Sequence, residues 1–176
     1  MGIADPKSVG RFIPGKVVFT DAANDIAILE FDAAVGAPVT FANSAACEVG
    51  NGAFVVGYPM GIDEQTLLSA HIASVSGREL RIDASVNHGN SGGPLFDLNG
   101  HQIGVVNSKH GTLSTFLTSV VSAKPGVTMS LGGLDPVKII QQLIKEMQRN
   151  LNLGIGYAIP TAVIKPLHGS LGRAIP

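Results

Sequence analysis

The sequence is poor in the residues that would commit it to several chemistries. Cys47 is the single cysteine in 176 residues, which excludes an internal disulfide and a cysteine-rich zinc site. The five histidines show no metal-ligand spacing, so no metal is expected, and no motif in the sequence implies a cofactor. Charged residues make up 14% of the chain and nearly cancel, leaving a formal net charge of −1. Lys and Arg are scattered, which argues against a nucleic-acid groove or a membrane-surface patch. No apolar run approaches the roughly 20 residues that span a bilayer, so no membrane span is expected. The first six residues lack the basic-then-apolar pattern of a secretion leader. The 45% hydrophobic content predicts a globular protein of one domain or two small ones with a real core.

Glycine, in contrast, is abundant, and its most informative cluster is NHGNSGGPL at 87–95. A hydroxyl attacks a carbonyl only where backbone donors reach the same group, and glycines permit that approach because no Cβ stands in the way. Ser91 is therefore a candidate nucleophile, with the N–H groups of Gly89 and Ser91 as candidate oxyanion donors. The plain alternative is a surface turn, since these residue types dominate turns everywhere.

Two other motifs fail on context. Residues 10–16 spell G-x-x-x-x-G-K, but Val17 replaces the Ser or Thr, and residues 17–20 read as a strand where a phosphate loop needs a helix. Residues 89–93 also fit G-x-S-x-G, the α/β-hydrolase elbow, with Asp135 and His168 in that fold's order. An elbow needs a helix directly after the serine, whereas Gly92, Gly93 and Pro94 lead into a strand.

The rest of the chain reads as short apolar stretches broken by Gly and Pro, at 17–20, 26–31, 38–41, 53–58, 66–75, 94–96 and 101–106. That grammar predicts an antiparallel barrel or sandwich. Asn99 and Gly100 predict a hairpin directly after the serine strand. Asp25 stands where a turn delivers a carboxylate to the start of a strand, and its plain alternative is a turn cap. Asp135 and Pro136 predict the start of an amphipathic helix over 136–152, its apolar stripe packed on the body of the protein. Residues 154–160 return as a strand, and 161–167 predict a short helix ended by Pro166.

Taken in order, NDIAIL at 24–29, VVGYPMG at 55–61, DASVNHGNSGGPL at 83–95 and GIGYAIP at 154–160 resemble the trypsin-like serine proteases of the HtrA (Deg) type. The resemblance covers about residues 15–167, with 109–153 an unmatched insertion. It implies an all-β, chymotrypsin-like double β-barrel, with an inserted amphipathic helix and a short C-terminal helix added. It implies Asp25 as the triad acid, Ser91 as the nucleophile and the backbone of Gly89, Asn90 and Ser91 as the oxyanion hole. By the same resemblance Ser85 lies at the base of the specificity pocket, with walls near Asn107, Ser108 and Gly156. No acid at Ser85 pairs with a Lys or Arg side chain, so cleavage after small or medium apolar residues of a polypeptide substrate is expected. Homo-oligomers and a periplasmic or secreted location follow from the family alone.

The pattern departs from the family in one place. The triad histidine should precede the aspartate, and no histidine stands before Asp25. Without an imidazole the serine proton has no carrier, and loss of a triad member leaves about 10³ to 10⁴ over water. None of His71, His88, His101, His110 or His168 inherits the role by position. Three parts are expected: an incomplete first barrel and connection over 1–76, a second barrel over 77–167, and a tail over 168–176. The expectation is a peptidase whose upstream segment was lost, inactive alone. The alternative is a catalytically dead relative that kept the fold for binding.

Overall fold

Short strands that alternate inward and outward hide their inner faces and their edges together when they close on themselves. The computed structural model describes residues 2–4, 12–32, 36–59, 64–86, 89–107, 135–150 and 154–169. In chain order these form β1 (Gly2–Ala4), β2 (Phe12–Asp21), β3 (Ile26–Phe31), a 3-10 turn (Ser44–Ala46), β4 (Gly52–Gly57) and β5 (Thr66–Val75). There follow β6 (Leu80–Ile82), β7 (Pro94–Asp97), β8 (Gln102–Asn107), α1 (Pro136–Asn150), β9 (Gly156–Pro160) and α2 (Thr161–Gly169).

Six of the strands close into an antiparallel barrel in the order β4-β5-β6-β9-β8-β7. Alternation decides what enters it: Ala53 and Val55 of β4, Ala70 and Ile72 of β5 and Leu80 and Ile82 of β6 point inward. Leu95, Ile103, Val106 and Ala158 complete the core from the other three strands. Val55 sits opposite Leu68 on one side and Leu95 on the other, so β4 is locked from both edges. The Asn99–Gly100 turn forms as expected. Asp97 Oδ1 accepts from the N–H groups of Asn99 and His101, each at 2.9 Å, and Gly100 takes φ +79.

The first three strands make a separate sheet, β1-β2-β3. Ile26, the first residue of β3, packs with Ile159 of β9 and Ile164 of α2 on the outside of the barrel. A polar clamp lies beside this contact. Buried Thr161 donates through Oγ1 to the Ala42 carbonyl at 2.8 Å and accepts from the Ser44 N–H at 3.2 Å. Ser44 Oγ in turn accepts from the Ala162 N–H at 2.9 Å. The first turn of α2 thus has an orphan donor satisfied by a residue far away in sequence, and the connection before β4 is held to the last helix.

Several expectations need correction. A boundary at residues 76 and 77 would split β5 from β6, which pair within the barrel; the barrel's strands begin with β4. Residues 38–40 form no strand, and Phe41 makes only an isolated bridge to Gln102. β6 was not anticipated, although Leu80, Arg81 and Ile82 carry the alternation of a three-residue strand. α2 runs through Pro166 to Gly169, so a proline late in a short helix did not end it. α1 ends at Asn150 in the described residues. Of its expected stripe, Ile140 is about half exposed while Val137 and Ile144 are half-buried, so among the described residues the stripe is only partly covered, because helical periodicity states which face is apolar and not what covers it.

Candidate active site

Ser91 lies exposed in a turn over residues 89–92, and the chain passes through Gly93 straight into β7. A strand therefore follows the serine, which removes the hydrolase-elbow alternative. The turn is bonded into the barrel on both flanks. Gly92 N–H donates to the Val106 carbonyl and Val106 N–H to the Gly93 carbonyl, both at 2.8 Å, while Tyr58 N–H donates to the Gly89 carbonyl at 3.4 Å. Gly93 N–H closes the turn on the Asn90 carbonyl at 3.0 Å. Among the described residues the N–H groups of Gly89 and Ser91 have no acceptor.

The glycines here are required by space as well as by φ. Gly89 takes φ +98, and a Cβ there would collide with the Tyr58 carbonyl oxygen. A Cβ on Gly57 would collide with Asn90 Oδ1, and one on Gly93 would lie 2.7 Å from the Val56 carbonyl oxygen. Asn90 itself is fully buried, and neither of its side-chain polar atoms has a partner among the described residues. An unpaired buried polar group costs about 1–3 kcal/mol, so this asparagine is carried at a cost, directly beside Ser91.

Asp25 stands at the end of the β2–β3 turn with φ +54, the one non-glycine at positive φ among the described residues. The turn is capped by a different residue. Asp21 Oδ1 accepts from the N–H groups of Ala23 and Asn24, and its Oδ2 accepts from the Asn24 side-chain amide at 2.7 Å. That amide, opposed by partial burial and helped by the two backbone donors, holds the Asp21 carboxyl below its ordinary value. The D-x-x-N spacing was the sequence signal for this cap. With the capping done by Asp21, the Asp25 carboxylate is exposed and has no hydrogen-bond partner among the described residues.

Of the expected pocket residues, Ser85 is exposed, while Asn107 and Gly156 are buried. Gly156 packs so closely that a Cβ would lie 2.8 Å from Ile82 Cγ1 and would collide with Val86. The Asn107 amide nitrogen has no partner among the described residues. Ser108, His88, His110 and most of the segment 109–153 lie outside the described residues.

Two histidines face carboxylates, and neither sits at the serine. His71 Nδ1 is 3.2 Å from Asp83 Oδ2, both side chains exposed, and the His71 N–H foremost holds the Asp83 carboxyl below its ordinary value. His71 pairs with Gly52, at the opposite end of β4 from Tyr58, roughly 20 Å along the strand. His101 lies 3.6 Å from Asp97 at the far tip of the β7–β8 hairpin. Burial, and then the charge of Asp97, push the Cys47 thiol up, which makes it a poor nucleophile. Among the described residues no cluster of His, Cys, Asp and Glu fits a metal ion.

Comparison with known proteins agrees with this geometry. Residues 3–105 match the trypsin-like peptidase domain family. The chain is 30% identical over 149 residues to a probable periplasmic serine endoprotease, DegP-like, of Chlamydia trachomatis, covering 79% of this chain and 28% of that protein. It is 30% identical over 182 residues to a protein of the same description from Brucella suis, covering 94% of this chain and 32% of that one. It therefore spans about a third or less of these curated relatives. Among solved structures, an HtrA-type protease, AlgW with decapeptide, superposes with TM-score 0.61 at 24% identity, over 93% of this chain and 42% of that one.

Proposed function

The chain belongs to the trypsin-like peptidase domain family, where its relatives are DegP-like serine endoproteases, and from that premise we propose that Ser91 is the nucleophile of a serine endopeptidase site. Ser91 Oγ attacks the peptide carbonyl carbon, and the N–H groups of residues 89–91 receive the negative charge that develops on its oxygen. Asp25 is the carboxylate that orients and stabilises the imidazole taking the serine proton. The observation that carries this reading is the Ser91 turn: an exposed serine, two N–H groups with no acceptor among the described residues, and close backbone approaches at Gly89 and Gly93 that leave no room for a Cβ.

The imidazole has no counterpart at the expected place, since no histidine stands before Asp25. The described His71 and His101 face Asp83 and Asp97 instead. Residues 1–176 accordingly hold the acid and the nucleophile but hydrolyse no peptide by themselves. Ser85, Asn107 and Gly156 line a pocket for small or medium apolar side chains, a reading supported by the absence of an acidic residue among them. The substrate is a polypeptide, and the location follows the relatives, which are named as periplasmic.

Added imidazole tests the assignment, because a free base can occupy the space that a missing side chain leaves. A fluorophosphonate probe should label the chain slowly. Imidazole at high millimolar concentration should accelerate labelling at least about tenfold, and Ser91→Ala should abolish it. Labelling that ignores imidazole, or that survives Ser91→Ala, would instead favour a protease-fold binding protein.

A further inference from the structure

The two flanks of the Ser91 turn differ in chemistry. On one side Gly92 and Gly93 are bonded to Val106 of β8, next to the proposed pocket residue Asn107. On the other side Gly89 is bonded to Tyr58, one residue beyond β4. The barrel order places β7 between β8 and β4. A polypeptide lying across Ser91 with its acyl side toward β8 and β9 therefore leaves across Tyr58.

Tyr58 is built for contact there. Its neighbours Gly57 and Pro59 are buried, yet its own side chain is 56% exposed. The backbone beneath it is fixed: Gly89 lies too close to the Tyr58 carbonyl for any Cβ, and Pro59 restricts the residue before it to extended conformations. Leu67, 62% exposed, is paired with Val56, and strand alternation puts Val56, Leu67 and Tyr58 on one outer face. An apolar ring on a rigid base contributes area at low ordering cost.

Resting on the peptidase reading, we propose that Tyr58, backed by Leu67, is a specificity-determining residue for the leaving-group side of the substrate. Tyr58 and Gly89 are about one strand spacing apart, ~4.8 Å, and an extended peptide advances ~3.3 Å per residue. The ring therefore receives an apolar or aromatic side chain one or two residues beyond the bond to be cleaved.

The test uses the full chain carrying Ser91→Ala and fluorescein-labelled octapeptides, read by anisotropy. The peptides carry Ala or Glu on the acyl side and Phe, Ala or Glu at the first or second position past the bond. Phe should bind about fivefold tighter than Glu at one of these positions. Tyr58→Ala should bring that ratio to about one and Tyr58→Phe should keep it. Tyr58→Lys should turn it in favour of Glu, and all three should retain discrimination between Ala and Glu on the acyl side. An unchanged Phe-to-Glu ratio in Tyr58→Ala and Tyr58→Lys, with acyl-side discrimination intact, overturns this assignment alone. No binding of any peptide, together with no imidazole-dependent labelling of Ser91, overturns the peptidase reading and this assignment with it.

Discussion

The turn that carries Ser91 and the turn that carries Asp25 are held in opposite ways. The first is part of a closed barrel, bonded through its backbone to β8 on one flank and to the end of β4 on the other. The second caps an open three-stranded sheet and owes its shape to one local side chain, Asp21. Its attachment to the barrel passes through Ile26, the residue after Asp25. The serine's position is thus a property of the whole barrel, while the aspartate's depends on turn chemistry and a small apolar contact. Substitutions in the two regions should differ accordingly in size and in what they disturb.

The largest effect should come from the serine turn. Gly89→Ala combines an unfavourable φ with a collision against the Tyr58 carbonyl oxygen, and should cost about 2–4 kcal/mol. Gly92→Ala shares the positive φ, +81, but meets nothing within 4 Å, so only the backbone term of about 1–2 kcal/mol remains. Urea denaturation of the pair separates the two terms. Equal losses would mean that the close approach of the turn to β4 contributes nothing.

Next in size is the clamp between the regions. Thr161→Val keeps the shape but removes the hydroxyl that serves Ala42 and Ser44, leaving a half-buried carbonyl and a buried N–H unpaired, at about 1–3 kcal/mol. Ile26→Val should cost less, about 0.5–1.5 kcal/mol. Its more telling effect is local: amide exchange in β3 should speed up while that in β4 and β7 stays unchanged. If exchange rises equally in all three, the sheet and the barrel unfold as one unit and the contrast between the turns fails.

Much of this contrast was legible in the sequence. The strand grammar gave β4, β5, β7, β8 and β9 to within a residue or two, because alternation and turn residues are local signals. The Ser91 turn was legible as a turn because glycine, asparagine and serine favour turns, while its reading as a nucleophile's turn leaned on the resemblance. β6 was missed because three residues offer too little periodicity. The boundary at 76 and 77 failed because strand partnership is settled by closure, and nothing within β5 announces that β4 and β6 will flank it. The burial of Asn90 was invisible for a related reason: Gly57, which makes room for it, lies more than thirty residues away. The capping alternative weighed for Asp25 falls to Asp21 instead, since both flank the turn and only Asp21 has an asparagine three residues ahead.

The smallest effect concerns that cap, and its sign is fixed by the shift. The Asp21 carboxyl is held below its ordinary value of 3.8, foremost by the Asn24 side-chain amide. A carboxyl with a depressed folded value stabilises the fold above its unfolded value, and loses that contribution as pH falls through the folded one. Asp21→Asn keeps an acceptor for the Ala23 and Asn24 N–H groups but removes both the charge and the Oδ2 that accepts from the Asn24 side-chain amide, so the variant lacks the titrating contribution at every pH. Thermal scans should show the wild type ahead of Asp21→Asn near neutral pH, with the gap closing as pH drops below 3.8. Asp83 titrates in the same direction, but it is common to both proteins and cancels in the difference. The effect should be confined to exchange in β2 and β3, because the serine turn contains no carboxylate. If acid instead speeds exchange around residues 89–93 as much as at the β2–β3 turn, the serine turn relies on the sheet after all.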